Sequence, residues 1–401
     1  MKKSLLTLMI ALNVFGVAVQ SHASARLDSL SLDVRQVDDL DLIWLYPNKI
    51  LDYKDTVDFR LSTNGAFGNG INEWGGVIAD ETSLGGVLGV YVNRPSYLDT
   101  PAWGVLGGFH AANDPLESYW SVPGNDDEQE TFANIIDIFW AQNVDGAGLG
   151  IHFNYGDNGI QPVGNWETEQ LALSAGLGLS AVGPFSQLDF HADYGTDFTT
   201  QIGLASKSHD NGIYSIKLGG MGKLDLSDTN YFKVFVDTSM GQDNMTDLDS
   251  YDFNDTTLIL GTSWDQKVND GKGLIATGLI GEYVGSAVKN TYIDDGWALL
   301  WNGAVEQEVA SWLTLRAGLE GAITTREYDT DGSPVYVQDN YHTGYQFSTG
   351  FGINWSNFVL DANVNAGSFE KSVGNVSPGN GLLFANGSLL TLSEADLRYK
   401  F

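Results

Sequence analysis

The sequence predicts an all-β chain that closes into an antiparallel barrel of about 16 strands, within a range of roughly 14 to 18. Two observations predict this fold. Downstream of Asp55, apolar and polar residues alternate in one segment after another, and side chains at that spacing point to opposite faces of a strand. The charged residues of these segments also fall on the face opposite the apolar residues. Each predicted strand therefore has one apolar face and one polar face.

The clearest alternation lies near the C-terminus. From Tyr345 to Trp355, apolar or Thr side chains occupy every second position, and the pattern restarts at Phe358. The few residues between the two segments leave room only for a tight turn, so these segments are predicted to be adjacent antiparallel strands. The same pattern recurs in Leu149–Tyr155, Leu171–Leu179, Leu188–Tyr194, Trp297–Val305 and Leu313–Leu319.

The length of these segments favours a membrane barrel over a soluble sandwich. The segments run for roughly 10–13 residues, whereas strands of globular proteins are usually about 5–6 residues long. A strand that crosses a bilayer at a tilt needs about 9–11 residues. Because every backbone donor and acceptor must be paired in hydrocarbon, such strands close into a barrel. Residues 56–401 are therefore predicted to form a transmembrane β-barrel.

The connections between predicted strands fall into two classes. Long, mostly acidic connections are predicted at one end of the barrel and short turns at the other, as in barrels whose short turns face the periplasm. The predicted long connections are 111–132, 241–255, 285–295, 324–342 and 368–387. The predicted short turns lie near 143–146, 181–184, 265–271, 308–311 and 355–357. The segments 221–230 and 241–255 conflict, because both cannot be long connections on the same strand count.

The N-terminus predicts export. Two lysines follow the first residue, an apolar run extends from Leu5 to Val19, and Ala23-Ser24-Ala25 matches a small-residue cleavage signal. Residues 1–25 are therefore predicted to be a signal peptide. Residues 26–55 are predicted to be a periplasmic or plug segment ahead of the barrel.

The composition excludes several classes of protein. The chain has 51 acidic residues against 20 Lys and Arg, and its formal net charge is −31. Such acidity argues against nucleic acid as a partner, because phosphates need Lys and Arg. The sequence contains no cysteine, no nucleophile elbow, no P-loop and no zinc-protease helix motif. It therefore predicts no enzyme, no cofactor and no metal site.

The chain ends on LSEADLRYKF, in which Leu397, Tyr399 and Phe401 occupy alternating positions. Together with the export signal and the strand pattern, this ending resembles that of Gram-negative outer-membrane β-barrel proteins. The resemblance implies that Leu397, Tyr399 and Phe401 form an assembly signal read by the barrel-assembly machinery. It also implies a location in the outer membrane, in contact with the lipid bilayer and lipopolysaccharide.

A second resemblance concerns residues 38–55, DDLDLIWLYPNKILDYKD. This stretch is similar to the one before the first strand of long-chain fatty-acid transporter-like barrels, where an acidic run precedes an Asn-Pro-Ala turn. Here the order is Pro47-Asn48-Lys49. The resemblance implies that the N-terminal segment plugs the lumen and that the barrel passes hydrophobic compounds.

Charged and polar residues on the polar strand faces are predicted to face the lumen. The candidates are Asp137, Asp189, His191, Asp193, Glu306, Arg316, Glu320 and Asp361. Acids outnumber bases on these faces, and an acidic lumen raises the local concentration of cations. The sequence thus predicts a channel or porin for small, preferentially cationic solutes. Uptake of a hydrophobic ligand and a non-transporting structural or surface-interaction barrel are the alternatives.

Two acidic groupings raise the question of metal binding. Asp189, His191 and Asp193 share one face of a predicted strand, which suits either a metal or base site or, more commonly, a polar barrel wall. Asp329-Thr330-Asp331-Gly332 begins like a Ca²⁺ loop, but its twelfth position is Asn340 instead of Glu. The sequence predicts a polar wall for the first grouping and leaves Ca²⁺ binding by the acidic loops open.

Overall fold

The computed structural model describes residues 24–62, 72–81, 85–92, 134–157, 166–201, 213–243, 253–288, 292–330, 342–372 and 391–401. Sixteen strands form one closed antiparallel barrel, in which each strand pairs with its neighbours in sequence. The last strand closes the ring against the first, with Thr56 opposite Lys400 and Ser62 opposite Glu394. The prediction of an all-β, closed antiparallel barrel of about 16 strands is confirmed.

The strands are β1 Thr56–Ser62, β2 Asn72–Glu81, β3 Gly86–Val92, β4 Asn134–Val144, β5 Ala147–Asp157, β6 Trp166–Val182, β7 Phe185–Gln201, β8 Ile213–Ser227, β9 Asn230–Asp243, β10 Phe253–Val268, β11 Gly273–Val288, β12 Tyr292–Ala310, β13 Leu313–Thr330, β14 His342–Trp355, β15 Phe358–Ser372 and β16 Thr391–Lys400. One helix, α1, spans Ala25–Leu30, and two 3₁₀ helices span Leu40–Trp44 and Pro47–Tyr53. In the described part of the chain, no helix is long and apolar enough to cross a membrane.

The strands from β6 to β15 are longer than predicted, at 14 to 19 residues each. The predicted connection 285–295 illustrates the difference, because Gly285 pairs with Asp295 and Val288 with Tyr292. The backbone ladder continues after apolar alternation has ended, since polar side chains outside hydrocarbon do not interrupt main-chain pairing. Both ends of 241–255 and 324–342 and the first residues of 368–387 are strand for the same reason, whereas 111–132 lies outside the described residues.

The short turns lie at one end of the barrel. Asp145-Gly146 joins β4 to β5 with positive φ angles of 51° and 87°, the left-handed conformation that a two-residue hairpin turn requires. Residues 221–230 comprise the end of β8, a two-residue turn and the start of β9. They therefore belong to the short-turn end, which removes the conflict with 241–255.

The two faces of the wall differ in exposure. On β7, Phe190 and Tyr194 are 45% and 47% exposed, whereas Asp189 and Asp193 are 1% and 4% exposed. Exposed apolar side chains recur around the barrel, among them Leu173, Leu218, Leu260, Leu279, Trp301 and Leu315. A closed antiparallel barrel with an apolar outer face is the architecture of proteins that span the outer membrane of Gram-negative bacteria.

Residues 24–55, here called the N-terminal segment, lie inside the barrel. Ser24 caps α1 by accepting a hydrogen bond from the Leu27 N–H at 3.2 Å, and Ser31 ends it in a left-handed conformation with φ 50°. Pro47 is the first residue of the second 3₁₀ helix. A backbone N–H at this position would have no partner within the helix, so the N–H that proline lacks costs no hydrogen bond. Leu27, Leu30, Ile43 and Ile50 are fully buried.

Candidate functional site

The N-terminal segment crosses the interior close to the short turns. Its Lys49 binds Asp189, four residues after the start of β7 at Phe185. Its Arg26 binds Glu306, four residues before the end of β12 at Ala310. The segment therefore reaches two separate parts of the barrel wall, on β7 and β12, at the level of the short turns.

Glycines on the inner face of the wall make room for the backbone of this segment. A Cβ atom at Gly150 would lie 2.3 Å from the backbone nitrogen of Asn48, and one at Gly318 would lie 2.0 Å from the carbonyl oxygen of Leu30. Gly176 is similar, with 2.6 Å to the Asn48 Oδ1. Backbone atoms cannot move away as a flexible side chain can, so positions 150 and 318 require glycine.

Ion pairs hold the first half of the segment to β12–β16 and β1. Arg26 Nε lies 3.0 Å from Glu306 Oε2, and Arg26 Nη1 lies 3.2 Å from Asp39 Oδ2. Glu306 also accepts from Arg316 at 2.6 Å, and Arg316 lies 2.7 Å from Asp361. A chain of alternating charges therefore links the segment to β12, β13 and β15.

Arg60 of β1 makes a second link of this kind. Its guanidinium lies 2.8 Å from Asp41 of the segment and 2.8 Å from Asp396 of β16. The backbone N–H of Ala25 donates to the other oxygen of Asp396 at 2.9 Å. Arg60, Asp41 and Asp396 are 3%, 5% and 1% exposed. Each of these buried charges is therefore stabilised by its ion-pair partners and not by water.

The middle of the segment is held by polar contacts to β9 and β12. Gln36 and Asn302 exchange two side-chain amide hydrogen bonds, at 3.1 Å and 2.6 Å. Lys233 donates to the Gln36 carbonyl oxygen at 3.0 Å and to Asp38 Oδ1 at 3.0 Å. These two acceptors compensate the buried ammonium group of Lys233, a residue that is only 1% exposed.

Arg35 lies against β9 a short distance away. Its guanidinium is bound by Asp33 Oδ2 of the segment at 2.6 Å and by Asp237 of β9, and it lies 4.9 Å from the centre of the Phe235 ring. Asp237 also bonds to His191 Nε2 at 2.8 Å. The Arg35 guanidinium therefore contacts an aromatic ring and two carboxylates in the barrel interior.

An apolar row runs around the inner wall at the same level. In strand register, Met221 lies opposite Phe235, and the row continues through Gly261, Ile280, Leu300 and Ala322 on β10 to β13. We call these six residues the inner apolar belt. Its side chains are buried and pack in one cluster with Leu42 and Tyr46 of the N-terminal segment.

Sequence reasoning missed the belt, although a signal for it exists. Leu300 sits between Leu299 and Trp301, and Ile280 follows Leu279, so both faces of these strands are apolar at this level. A short continuous apolar run marks a strand that is buried on both faces. A search for strict alternation, which correctly predicted the outer face, does not detect a short apolar run of this kind.

The lumen-facing candidates all lie on the inner face, but they bind different partners and do not form a single site. Asp189 binds Asn48 and Lys49, whereas His191 bonds to Asp193 at 2.6 Å and to Asp237. Asp189, His191 and Asp193 thus do not form one cluster, and Asp237 is the partner of His191 outside the predicted trio. Glu306, Arg316 and Asp361 form the ion-pair chain described above, and Glu320 is partly buried on β13.

Asp137 has separate partners on β5. It bonds to His152 Nε2 at 2.8 Å and to the Asn154 side-chain nitrogen at 2.7 Å. Within the described ranges, no group of three or more His, Cys, Asp or Glu is arranged to hold a metal ion. Residues 331–340 of the Ca²⁺-like stretch lie outside the described residues.

Of the predicted assembly residues, Leu397 and Tyr399 lie on β16, and Phe401 directly follows that strand. Tyr399 packs 4.6 Å from Phe358 and 6.5 Å from Phe401, measured between ring centres. The Phe401 N–H donates to the Asp55 carbonyl oxygen at 3.0 Å, and its side chain is 56% exposed. Leu397 pairs in register with Phe59 and Leu360.

Charges around the segment shift the acidity of its carboxyl groups. Burial disfavours the ionised form of Asp39, but the attraction of Arg398 and Arg26 outweighs burial and lowers the pKa to about 2. Partial desolvation disfavours the ionised form of Asp38, whose side chain is 59% exposed, but Lys233 and Lys223 outweigh it and hold the pKa below its usual range. Both carboxylates are therefore ionised at neutral pH: Asp38 binds Lys223 and Lys233 of the wall, and Asp39 binds Arg26 of the segment.

Comparison with known proteins gives only distant likenesses. No protein-family model matches the chain. No curated protein matches it either. Among solved structures, a FadL homologue from Pseudomonas aeruginosa is 11% identical with a TM-score of 0.43, covering 96% of this chain and 100% of that one. BamA from Haemophilus ducreyi, lacking POTRA domains 1–3, is 10% identical with a TM-score of 0.40, covering 87% of this chain and 70% of that one.

Siderophore receptors are similar at the same level. PirA from Acinetobacter baumannii is 8% identical with a TM-score of 0.40, covering 82% of this chain. The chain spans 63% of the length of PirA and 61% of that of the ferric-catecholate import receptor Fiu from E. coli K12. Likenesses at such identities and TM-scores carry no functional conclusion for this chain.

Proposed function

We propose that this chain is an outer-membrane transport barrel for hydrophobic or amphipathic compounds, in which the N-terminal segment is a plug. One observation carries the proposal: a polar-lined barrel contains an apolar row across six adjacent strands, packed against that segment. An apolar lining does not stabilise a water-filled pore, but it offers a contact surface to an apolar solute.

The contacts of the segment support its role as a plug. It binds Glu306 and Arg60 in one part of the barrel wall and Asp189 in another, and glycines admit its backbone at both places. A compound that crosses the barrel must therefore pass beside the segment or shift it. Movement of the segment would uncover Phe235, Ile280 and Leu300 on the belt.

A cation channel is the second candidate, and the acidic composition favours it. The acids predicted to set its field nevertheless have close partners: Asp189 binds Lys49, Glu306 binds Arg26 and Arg316, and Asp137 bonds to His152. Because these partners compensate much of the negative charge, the geometry supports uptake of apolar compounds better than steady passage of cations.

Export and assembly belong to the same proposal. Residues 1–25 would be removed as a signal peptide, and Leu397, Tyr399 and Phe401 would be read by the barrel-assembly machinery. The exposed ring of Phe401 and its position beside the closing pair of strands support this reading. The lipid bilayer and lipopolysaccharide would then surround the apolar outer face.

The test is whole-cell uptake of a neutral apolar fluorophore, for which the lipopolysaccharide leaflet is a barrier. Cells that express the chain should accumulate the fluorophore faster than cells without it, and Leu300→Asn should reduce the rate several-fold. Thr257→Asn is the matched control, because Thr257 is an inner-face residue that is already polar and lies outside the belt. Equal uptake with and without the chain would contradict the proposal.

A further inference from the structure

The inner apolar belt holds a cation that belongs to the chain itself. The Arg35 guanidinium lies over the Phe235 ring at 4.9 Å and binds Asp237, two residues along the same inner face of β9. An aromatic face and a buried carboxylate side by side form a recognition site for a cation. We call Phe235, Asp237, His191 and Tyr46 the Arg35 site.

Arg35 can leave this site without leaving a buried charge unpaired. Arg35 makes two short bonds to Asp33, at 2.7 Å and 2.6 Å, and Asp33 is a residue of the same segment. Asp237 is shared between Arg35 and His191, whose Nδ1 bonds to Asp193. If another cation replaced Arg35, Arg35 would keep Asp33 and Asp237 would keep a positive partner.

Tyr46 supplies an independent sign of a ligand. Its ring packs edge-on against His191, with 5.1 Å between ring centres, and the residue is fully buried in the belt cluster. Among the described residues, the Tyr46 hydroxyl has no hydrogen-bond partner. A buried hydroxyl without a partner is destabilising, and a ligand with a hydrogen-bond donor would supply the missing partner.

We infer that the Arg35 site binds the cationic group of an amphipathic ligand whose apolar part lies on the inner apolar belt, in competition with Arg35. This inference rests on the proposed function and specifies its substrate class: apolar amines or guanidines in preference to apolar carboxylates. A carboxylate head group would meet Asp237 and Asp193 with like charge.

Competition also links binding to opening. Arg35 is one of the contacts that fix the middle of the N-terminal segment to β9, beside the contacts of Gln36 and Lys233. A ligand that displaces Arg35 removes this contact and makes the segment easier to shift. The ligand that the barrel carries is thus the one that loosens its plug.

The test is equilibrium binding of three probes with the same phenylbutyl group to the full mature chain in nanodiscs. The probes are 4-phenylbutylamine, which is protonated at pH 7, neutral 4-phenylbutanol and anionic 4-phenylbutyrate. The amine should bind about tenfold more tightly than the alcohol, and the carboxylate most weakly. Empty nanodiscs give the background partition of each probe.

Arg35→Gln gives the sharpest outcome, because it should tighten binding. Removing the built-in competitor should lower the apparent Kd of the amine about tenfold and leave that of the alcohol nearly unchanged. Lys49→Gln, which removes a different ion pair between segment and wall, is the matched control and should not alter the ratio of amine to alcohol. Asp237→Asn should reduce that ratio to about one.

Each result decides something different. Tighter binding of the carboxylate, or an Arg35→Gln variant that binds the amine no better than wild type, would overturn the inference and leave apolar transport standing. Failure of all three probes to bind would overturn the proposed function as well. Heat-dependent migration in detergent gels shows whether each variant has folded as a barrel, and Arg35→Gln keeps the inference testable if Asp237→Asn has not.

Discussion

The N-terminal segment is held differently at its two ends, and the comparison shows how a barrel can anchor a chain inside itself. Around α1, the contacts with β12–β16 and β1 are dominated by charge: Arg26, Arg60 and Arg316 alternate with buried carboxylates. Around the second 3₁₀ helix, the wall of β5 and β6 is shaped by Gly150, Gly176 and Gly178, and one ion pair joins Lys49 to Asp189.

The difference lies in what each end can tolerate. A network of buried charges is stable only while every partner is present, so it responds to pH and to single charge changes. A backbone packed against glycine has no such dependence, but it cannot accept a larger side chain. Both ends pack against glycine, at Gly318 and at Gly150, so the charge network is what distinguishes the first end. The first end is therefore the one that is released more readily by acid or by a charge substitution.

The largest expected effect follows from Arg60→Gln. This change leaves Asp41 and Asp396 buried without their shared cation, and removing one partner of a buried ion pair costs about 3–5 kcal/mol. Hydrogen exchange of α1 should become faster by several orders of magnitude, while exchange within β5 and β6 stays slow. Lys272→Gln, at an exposed turn, should change neither, and equal acceleration at both ends would contradict the comparison.

Gly150→Val should act on the other end. The new Cβ would lie 2.3 Å from the Asn48 nitrogen, and overpacking of this kind costs about 1–3 kcal/mol. Protease sites in the second 3₁₀ helix should become accessible while α1 stays protected. Gly303→Val is the matched control, because a Cβ at Gly303 would meet nothing within 4 Å. Cleavage of the control at the same rate would exclude packing as the cause.

Acid should release the first end before the second. The pKa of Asp39 is lowered to about 2 in the folded chain, so its stabilising effect is complete above its ordinary value near 4 and is lost as pH falls through 2. The groups that face it are Arg26 and Arg398, and Asp41 lies beside it. The loss amounts to about 2 kcal/mol.

The measurement is hydrogen exchange of α1 between pH 5 and pH 2, corrected for the intrinsic rate. Wild type should lose protection over this range, and Asp39→Asn should lose about 2 kcal/mol less, because its side chain does not titrate. Identical pH profiles for the two proteins would show that Asp39 does not anchor α1.

The outer face of the barrel was predictable from sequence, and the inner face only in part. Phe190 and Tyr194 alternate with Asp189 and His191, and that pattern alone assigns their sides. The partners of the inner residues come from distant parts of the chain. Arg35 contacts Asp237, and Arg26 contacts Glu306, because the barrel closes around the segment. A local sequence pattern cannot predict such long-range contacts.

Two further features depended on the segment. The inner-face glycines are explained by the backbone atoms of Asn48 and Leu30 that they admit. The inward-facing Leu300 departs from alternation because Leu42 and Tyr46 pack in the same cluster. Both the glycines and Leu300 appear in the sequence as exceptions to alternation. The cause of each exception is a contact with the N-terminal segment, which the pattern within a strand does not show.

The account depends most on the claim that the N-terminal segment closes the barrel, and single-channel recording of the mature chain in planar bilayers tests this directly. Wild type should show no steady conductance, because the segment binds Asp189, Glu306 and Arg60 across the interior. Gly150→Val, which displaces one end of the segment, should produce discrete open steps that Gly303→Val does not. Steady conductance of the wild-type protein, unchanged by Gly150→Val, would contradict the account.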